Sequence, residues 1–425
     1  MRIAMMTNNY KPYIGGVPIS VERLSSGLRE LGHTVYIFAP EYPGGGEDED
    51  PYIIRYGSFA HTLSGNLQIP NCFDPKIEDI FRILDVDMIH VHHPMMIGQA
   101  ALHLGRKHHI PVAFTYHTRY EMYLHYLKLY ARLQNRVERS RNPLFASACG
   151  GVLRAAQEEI VPGFIRHFAN QCSLVIAPSR SMAFHLRNQG VETPVEVMPT
   201  GLPESAYAPD EERAAEIRER FLGGKKHLLC TISRLAEEKN LPFLLQGLAR
   251  LKERVGDSFR MLFLGDGPLR IPLTAQAEAM GLGDSVRFLG SIPNEEIVNY
   301  CGACDGFLFA SKSETQGIVL LEAMAAGCPV VAVKASGTGD VVVSGRNGFL
   351  TGEDVEEWSY CAARLLEDEA LGAELRLGAV RTAREYGTSC IAMQAQRHYE
   401  SMIQRYQYSA GPSWRRALGL HMNQY

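Results

Sequence analysis

The feature that most constrains this chain is an alternation of short apolar runs with longer amphipathic stretches, sustained along most of its length. A short apolar run bounded by polar residues reads as a strand buried on both faces, as in parallel sheets. In the first half such runs are Ile3–Thr7, Thr34–Ala39, Met88–His92, Val112–Tyr116, Leu174–Pro178 and Val195–Met198. In the second half they are Leu228–Ser233, Met261–Gly265, Val286–Leu289, Gly306–Ala310 and Pro329–Val333. Stretches of helical spacing separate most of them, among them Val21–Leu31, Leu241–Arg254 and Ile318–Ala326. Strand, helix, strand, set out twice, predicts an α/β chain of two Rossmann-like, doubly wound domains.

Two prolines and a glycine in Val197-Met-Pro-Thr-Gly-Leu-Pro end one strand, and a polar helical stretch, Asp210–Arg220, leads on to Gly223-Gly224. The junction is expected near residues 200–224, dividing the chain into 1–205, 206–387 and a C-terminal piece, 388–425. That last piece opens with a helical pattern over Thr388–Tyr408 that can pack back on the first domain, and ends in a tail. At 425 residues there is length for two domains of ordinary size, and 46% apolar with 21% charged residues fits a globular protein with real cores.

The formal net charge of −4 argues against a general nucleic-acid binder. The apolar run at the N-terminus stops at Asn8 and Asn9, unlike a signal peptide, and no run approaches the ~20 apolar residues of a spanning helix. A cytoplasmic protein is expected. Nine cysteines are scattered without a framework, several of them inside apolar runs, as with Cys230, Cys328 and Cys361. They read as buried thiols in a reducing compartment. Cys301 and Cys304 have metal or redox spacing but no second pair in sequence, and read as structural.

Ligands of open α/β sheets bind beyond the carboxyl ends of the strands. Four such ends carry unusual residues. After the first strand, Gly15 and Gly16 allow close backbone approach, and Pro18 suits the first turn of a helix whose free N–H groups can receive an anion. Neither a GxGxxG pattern nor a Walker lysine is present, which disfavours dinucleotide and ATPase readings. Thr115-Tyr-His-Thr places His117 at another strand end. The loop Ser233–Asn240 holds two cations, Arg234 and Lys239, that can stabilise a diphosphate leaving group without a metal. Most specific is Ser311-Lys-Ser-Glu-Thr-Gln-Gly-Ile-Val-Leu-Leu-Glu. Glu314 lies in its polar loop, where it can hold sugar hydroxyls. Gly317 opens a helix whose N–H groups near Ile318, Val319 and Leu320 can take a phosphate, and Glu322 is placed to bind a ribose diol. Taken singly, each piece is equally a tight turn, a structural histidine, solvated loop charges or a helix-dipole acid.

At this last segment the chain resembles the retaining nucleotide-sugar glycosyltransferases of family 4, which have the GT-B fold. Glu314 and Glu322 match their Glu-x7-Glu signature, and the glycine pair, His117, Arg234, Lys239 and Gly265-Asp-Gly-Pro match in order. The resemblance runs from about residue 2 to about residue 405 and implies two domains facing across a cleft, with the acceptor on the first and the nucleotide sugar on the second. It implies that Gly15 and Gly16 lie by the donor diphosphate and that Arg234 and Lys239 bind it. Glu322 then holds the ribose, Glu314 the transferred sugar, and His117 contacts the sugar and its acceptor side. It implies no protein nucleophile; the leaving phosphate helps deprotonate the acceptor on the same face. Two places depart from the pattern. Thr315-Gln316 stands where an aromatic residue or proline is frequent, and Ala335-Ser-Gly-Thr-Gly-Asp340 replaces a more glycine-rich stretch ending in glutamate. Both bear on sugar preference.

Tyr116-His-Thr-Arg-Tyr-Glu-Met-Tyr-Leu-His-Tyr and Ser313-Glu-Thr-Gln-Gly are also similar to segments of bacterial glucosyltransferases that glycosylate diacylglycerol. From Tyr123, apolar residues recur at Tyr126, Leu127, Tyr130, Leu133 and Val137, while Lys128, Arg132 and Arg136 recur every four residues. That pattern is a basic amphipathic helix, flanked by Tyr120 and Tyr123, and can sit on anionic lipid. It reads equally as a domain helix with a solvated basic face. The lipid likeness implies UDP-glucose as donor, diacylglycerol as acceptor and peripheral association with the inner face of the cell membrane; GDP-mannose with a soluble or polyprenyl acceptor is the alternative.

Three rivals follow from the same residues. A metal-dependent GT-A enzyme needs an acidic pair at a strand end, and neither Asp48-Glu-Asp50 nor Asp85-Val-Asp87 is so placed; metal independence is expected. A nucleotide-sugar 2-epimerase shares the GT-B architecture. A non-catalytic sugar-nucleotide-binding module is disfavoured by the intact set of Glu314, Glu322, Arg234, Lys239 and His117.

Overall fold

The computed structural model describes residues 1–13, 15–44, 48–62, 68–122, 124, 128–138 and 143–409. The strands of the first half are β1 (Arg2–Met6), β2 (Thr34–Pro40), β3 (Ile53–Tyr56), β4 (Ser58–Thr62), β5 (Gln68–Pro70), β6 (Met88–Val91), β7 (Val112–Thr115), β8 (Leu174–Ala177) and β9 (Val195–Val197). Among the described residues, seven of them form one sheet in the order β3-β2-β1-β6-β7-β8-β9, with every pairing parallel. The remaining two, β4 and β5, make an antiparallel pair. The second half supplies β10 (His227–Ile232), β11 (Phe259–Leu264), β12 (Val286–Gly290), β13 (Gly306–Phe309), β14 (Val330–Val333) and β15 (Gly348–Thr351). They form a parallel sheet in the order β12-β11-β10-β13-β14-β15.

Every strand expected from an apolar run is present. Those the patterning misses are short or irregular. β3 lies at a sheet edge, with its first three residues only half-buried, so the apolar signal is weak. β15 begins at Gly348, where φ is +158° and a Cβ would fall 1.9 Å from the Val330 carbonyl oxygen. Only glycine allows that edge strand to close on β14.

Both sheets are covered on their two faces, which is why their central strands are mostly apolar. In the first unit Ala4, Val91, Phe114 and Phe168 fill one side and Ile3, Met5, Val21 and Leu174 the other. In the second, Gly247 lets the helix Leu241–Val255 approach the buried Trp358 of Val355–Glu367; a Cβ there would lie 2.6 Å from the indole ring.

The chain divides into Met1–Met198 with the segment from Ile391 onward, and Pro199–Cys390. The break comes before the expected 205/206 boundary because the residues after Met198 are tied into the second unit. The Leu202 N–H donates to the Tyr386 carbonyl, and the Thr388 N–H donates to that of Leu202. The helix Thr388–Ser409 returns to the first unit, where Ile391, Ala395, Tyr399 and Met402 join the core beneath β1 and β2. Among the described residues no helix is long and apolar enough to cross a membrane.

Candidate active site

In each sheet the strand order reverses once, between β1 and β6 in the first and between β10 and β13 in the second. A reversal opens a crevice at the carboxyl ends of the two central strands, because the connecting chains depart to opposite faces. The glycine pair, Arg234, Lys239 and Glu314 follow strands at these two places, while His117 follows the neighbouring β7.

In the second unit β10 leads into the Arg234–Lys239 loop and β13 into the Glu314 loop. Two glycines of Gly265-Asp-Gly-Pro fasten the first loop. A Cβ on Gly265, at φ +132°, would fall 2.0 Å from the Ser233 carbonyl oxygen, and one on Gly267 would fall 2.4 Å from that of Leu235. The Leu235 N–H completes this clasp by donating to the Asp266 carbonyl at 3.0 Å. Arg234 is exposed on the loop so formed. Lys239 turns inward, with Nζ 2.6 Å from Glu314 Oε1, at 18% and 15% side-chain exposure. Burial opposes ionisation of Glu314, but the Lys239 ammonium and a hydrogen bond from Ser311 outweigh it and hold the carboxyl below its ordinary range.

After Glu314 the chain is pinned twice. The Gly337 N–H donates to the Glu314 carbonyl at 2.8 Å, in a contact so close that a Cβ on Gly337 would strike the Gln316 backbone at 2.6 Å. Gln316 is buried, and its amide pairs with both backbone groups of Thr200: Oε1 accepts from N–H at 2.7 Å and Nε2 donates to the carbonyl at 3.0 Å. Gly317, at φ +82°, then turns the chain into the helix Ile318–Ala325. That helix has no side-chain cap and no acidic residue in its first turn. Among the described residues no side chain caps its first N–H groups, in contrast to Glu211–Leu222, Val355–Glu367 and Glu369–Arg384, each capped by an aspartate; an uncapped helix start can receive an anion. Ile318, Val319 and Glu322 are half-buried on it.

In the first unit Gly15, in extended backbone, opens the helix Gly16–Glu30, which likewise lacks a side-chain cap and a first-turn acid. The helix begins earlier than the periodicity from Val21 suggests, so Pro18 is buried in its first turn. The loop before it is held by β6: the Asn8 N–H donates to His93 Nδ1 at 3.1 Å, and the Asn8 side chain accepts from the Ile97 N–H at 3.2 Å. His117, after β7, is half-buried, and its Nε2 lies 2.9 Å from His92 Nδ1. Burial holds both rings well below the ordinary histidine range, and so neutral near pH 7. His92 and His93 escape a reading that looks only for isolated histidines. They stand at the carboxyl end of an apolar run, where the strand-end rule applies to them as it does to His117.

Glu121 is a further residue that sequence reasoning missed. It is buried beneath the segment after His117, with Oε1 2.9 Å from Arg119 Nε and Oε2 accepting from the Tyr116 hydroxyl at 3.2 Å. Burial raises its carboxyl, but His185, the backbone and Arg119 together bring it down to about 2. Tyr120 is half-buried beside Tyr116, with ring centroids 6.2 Å apart. The basic stretch forms a helix, Lys128–Glu138, with Arg132 and Arg136 exposed and Tyr130, Leu133 and Val137 half-buried. Tyr123, Tyr126 and Leu127 lie outside the described residues, as does the side chain of Lys128.

Cys301 and Cys304 do acquire thiol neighbours in space. Cys230 and Cys328 join them in one buried core cluster of the second unit. All the cysteines are free, and burial pushes the Cys304 thiol up to about 11. Among the described residues no group of three or more His, Cys, Asp or Glu is arranged to hold a metal ion.

The two units have counterparts among known proteins. Residues 14–205 match Glycosyltransferase Family 4, and residues 212–386 match Glycosyl transferases group 1. The chain is 32% identical over 338 residues to alpha-monoglucosyldiacylglycerol synthase of Streptococcus pneumoniae, covering 78% of this chain and 71% of the relative. It is 26% identical over 408 residues to the enzyme of the same name from Acholeplasma laidlawii, covering 92% and 96%. Among solved structures, Anabaena HepE in complex with UDP superposes with a TM-score of 0.70 at 20% identity, over 94% of this chain and 100% of that one. Two parallel-sheet Rossmann-like domains, the Glu314–Glu322 signature and this similarity to the pneumococcal enzyme lead to one conclusion: the chain belongs to glycosyltransferase family 4 and is a glycosyltransferase of the GT-B fold.

Proposed function

We propose that this glycosyltransferase moves glucose from UDP-glucose to diacylglycerol at an anionic membrane face, with retention at the anomeric carbon and without a metal. The observation that carries the chemistry is the Lys239–Glu314 pair at the switch point of the second sheet. An ammonium has three donors. One is given to Glu314, and the same ammonium carries the charge that attracts donor phosphate oxygens. Arg234 and the N–H groups at Ile318 and Val319 add fixed positive charge where the leaving diphosphate gains negative charge. The ionised Glu314 accepts hydrogen bonds from sugar hydroxyls, Glu322 binds the ribose diol, and Gly15 and Gly16 let backbone approach the diphosphate. As the bond from the anomeric carbon to phosphate breaks, the departing phosphate oxygen takes the acceptor's proton. The acceptor oxygen then bonds to the same face of the sugar, so configuration is retained. His117 contacts the sugar on its acceptor side.

The choice of donor and acceptor is supported by relatives named alpha-monoglucosyldiacylglycerol synthase. The exposed Arg132 and Arg136 add to it, since each cation near an anionic surface is worth about 1 kcal/mol.

The test is transfer from labelled UDP-glucose and GDP-mannose, each offered diacylglycerol in anionic vesicles, soluble acceptors, or no acceptor. Label entering lipid from UDP-glucose, with an α-linkage by NMR and a rate unchanged by chelator, is expected. Transfer only to a soluble acceptor rejects the lipid reading, an inverted linkage rejects retention, and loss of turnover with chelator rejects metal independence. An epimerised sugar from donor alone would replace transfer by epimerisation.

A further inference from the structure

The carboxyl end of β6 carries His90, His92 and His93, and their rings are held in different ways. Both nitrogens of His90 are engaged: Nδ1 lies 2.8 Å from the Tyr399 hydroxyl, on the C-terminal helix, and Nε2 lies 2.6 Å from that of Thr115. His92 is fully buried and packs on His90 with ring centroids 4.1 Å apart. On another side it meets His117 edge to edge, with the rings inclined by 22° and joined by the 2.9 Å contact between Nδ1 and Nε2. Among the described residues, His92 Nε2 is buried and meets no hydrogen-bond partner.

These facts select a tautomer. With two neutral rings, one hydrogen lies between His92 Nδ1 and His117 Nε2. If His117 donated it, His92 would carry its own proton on Nε2, a buried N–H without an acceptor. If His92 donates it, only a lone pair is left there. Orphaned buried N–H groups are rarer than under-used acceptors, because the lost donor hydrogen bond is the costlier one.

We propose that His92 is a positioning residue for glycosyl transfer: its Nδ1–H donates to His117 Nε2, fixing His117 in the tautomer that carries its proton on Nδ1. Tyr399 and Thr115 act one step behind, locking the ring on which His92 rests. The inference rests on the reading that His117 contacts the substrate, since only then does its tautomer affect the rate.

The test is nitrogen-15 NMR of the full chain labelled at histidine, with the His117 signals identified by their loss in His117→Gln. The wild-type spectrum is expected to show His117 protonated on Nδ1. His92→Phe keeps a ring in the stack but removes the donor. It is expected to release that preference and to slow transfer on the order of 10- to 100-fold, the scale of lost outer-shell support for a functional histidine. His92→Asn, whose amide N–H can stand near the Nδ1 position, is expected to restore the tautomer and most of the rate. His117 protonated on Nε2 in the wild type overturns the proposal even if the variants fail to fold. An unchanged tautomer in His92→Phe, or a changed tautomer with an unchanged rate, overturns it as well. The spectrum needs no substrate, so failure of the proposed donor or acceptor leaves it readable.

Discussion

Lys239 Nζ and Glu314 Oε1 lie 2.6 Å apart, and the two residues come from loops that follow different strands of one sheet. In the proposed function Lys239 binds phosphate and Glu314 binds the sugar, so removing either member should have a different kinetic signature. Lys239→Ala is expected to weaken UDP binding and to lower kcat/KM by about 10²- to 10³-fold, the range for loss of one fixed charge-stabilising donor. Glu314→Gln is expected to lower kcat on a similar scale while leaving UDP affinity within a few-fold. Titration calorimetry with UDP, beside initial rates, separates the two; equal loss of UDP affinity in both variants would contradict the assignment.

Gly265 and Gly16 make a matched comparison. A Cβ at Gly265 meets the Ser233 carbonyl at 2.0 Å in a backbone conformation that side chains avoid, whereas one at Gly16 meets nothing within 4 Å among the described residues. Gly265→Ala is therefore expected to destabilise the fold by more than about 2 kcal/mol and to displace the Arg234 loop. Gly16→Ala should stay within about 1 kcal/mol of wild type. If donor diphosphate approaches that turn, Gly16→Ala still loses donor affinity. Urea denaturation and donor binding measured on both proteins decide the matter.

Gln316 spends both ends of its amide on the Thr200 backbone. Gln316→Ala leaves a buried N–H and a buried carbonyl without those partners and should cost about 2–4 kcal/mol, from two hydrogen bonds lost with little access for water. Gln316→Glu keeps the acceptor, loses the donor and brings a buried carboxylate, so no rescue is expected. Melting temperatures ranked with both variants well below wild type would agree; a wild-type melting temperature for Gln316→Ala would not.

Glu121 sets an acid limit on stability. Its carboxyl titrates near 2 in the folded chain, against an ordinary 4.5. A carboxyl with a depressed folded value stabilises the fold fully above its unfolded value and loses that contribution as pH falls from about 4.5 to about 2. The difference is worth roughly 2–4 kcal/mol. Glu121→Gln should lower stability at pH 6 and flatten its decline between pH 5 and pH 3, as read by urea midpoints. An unchanged slope would mean that the Arg119 and His185 contacts carry no linkage.

Much of the fold was legible because parallel strands buried on two faces are mostly apolar, so β1, β6, β8, β10 and β14 stand out from the helices around them. β3 and β15 did not, since an edge strand is stabilised by its partner more than by its own composition. Glu314, Glu322, Arg234, Lys239 and the glycine pair were legible for another reason: a ligand-binding strand end needs charged or glycine residues just where a buried strand stops.

The sequence by itself determined the order of elements, two Rossmann-like domains and the strand ends at which chemistry can be placed, because hydrophobic period and local backbone demands act over a few residues. Tertiary structure alone decided that Lys239 meets Glu314, that Gln316 holds Thr200, and that Cys230 and Cys328 reach Cys301 and Cys304. It also decided that His92 stands between His90 and His117. Each of these arrangements brings together separate segments of the chain, and strand order in a sheet is set by which apolar faces pack together. That is a property of the whole core and is written in no local stretch of the chain.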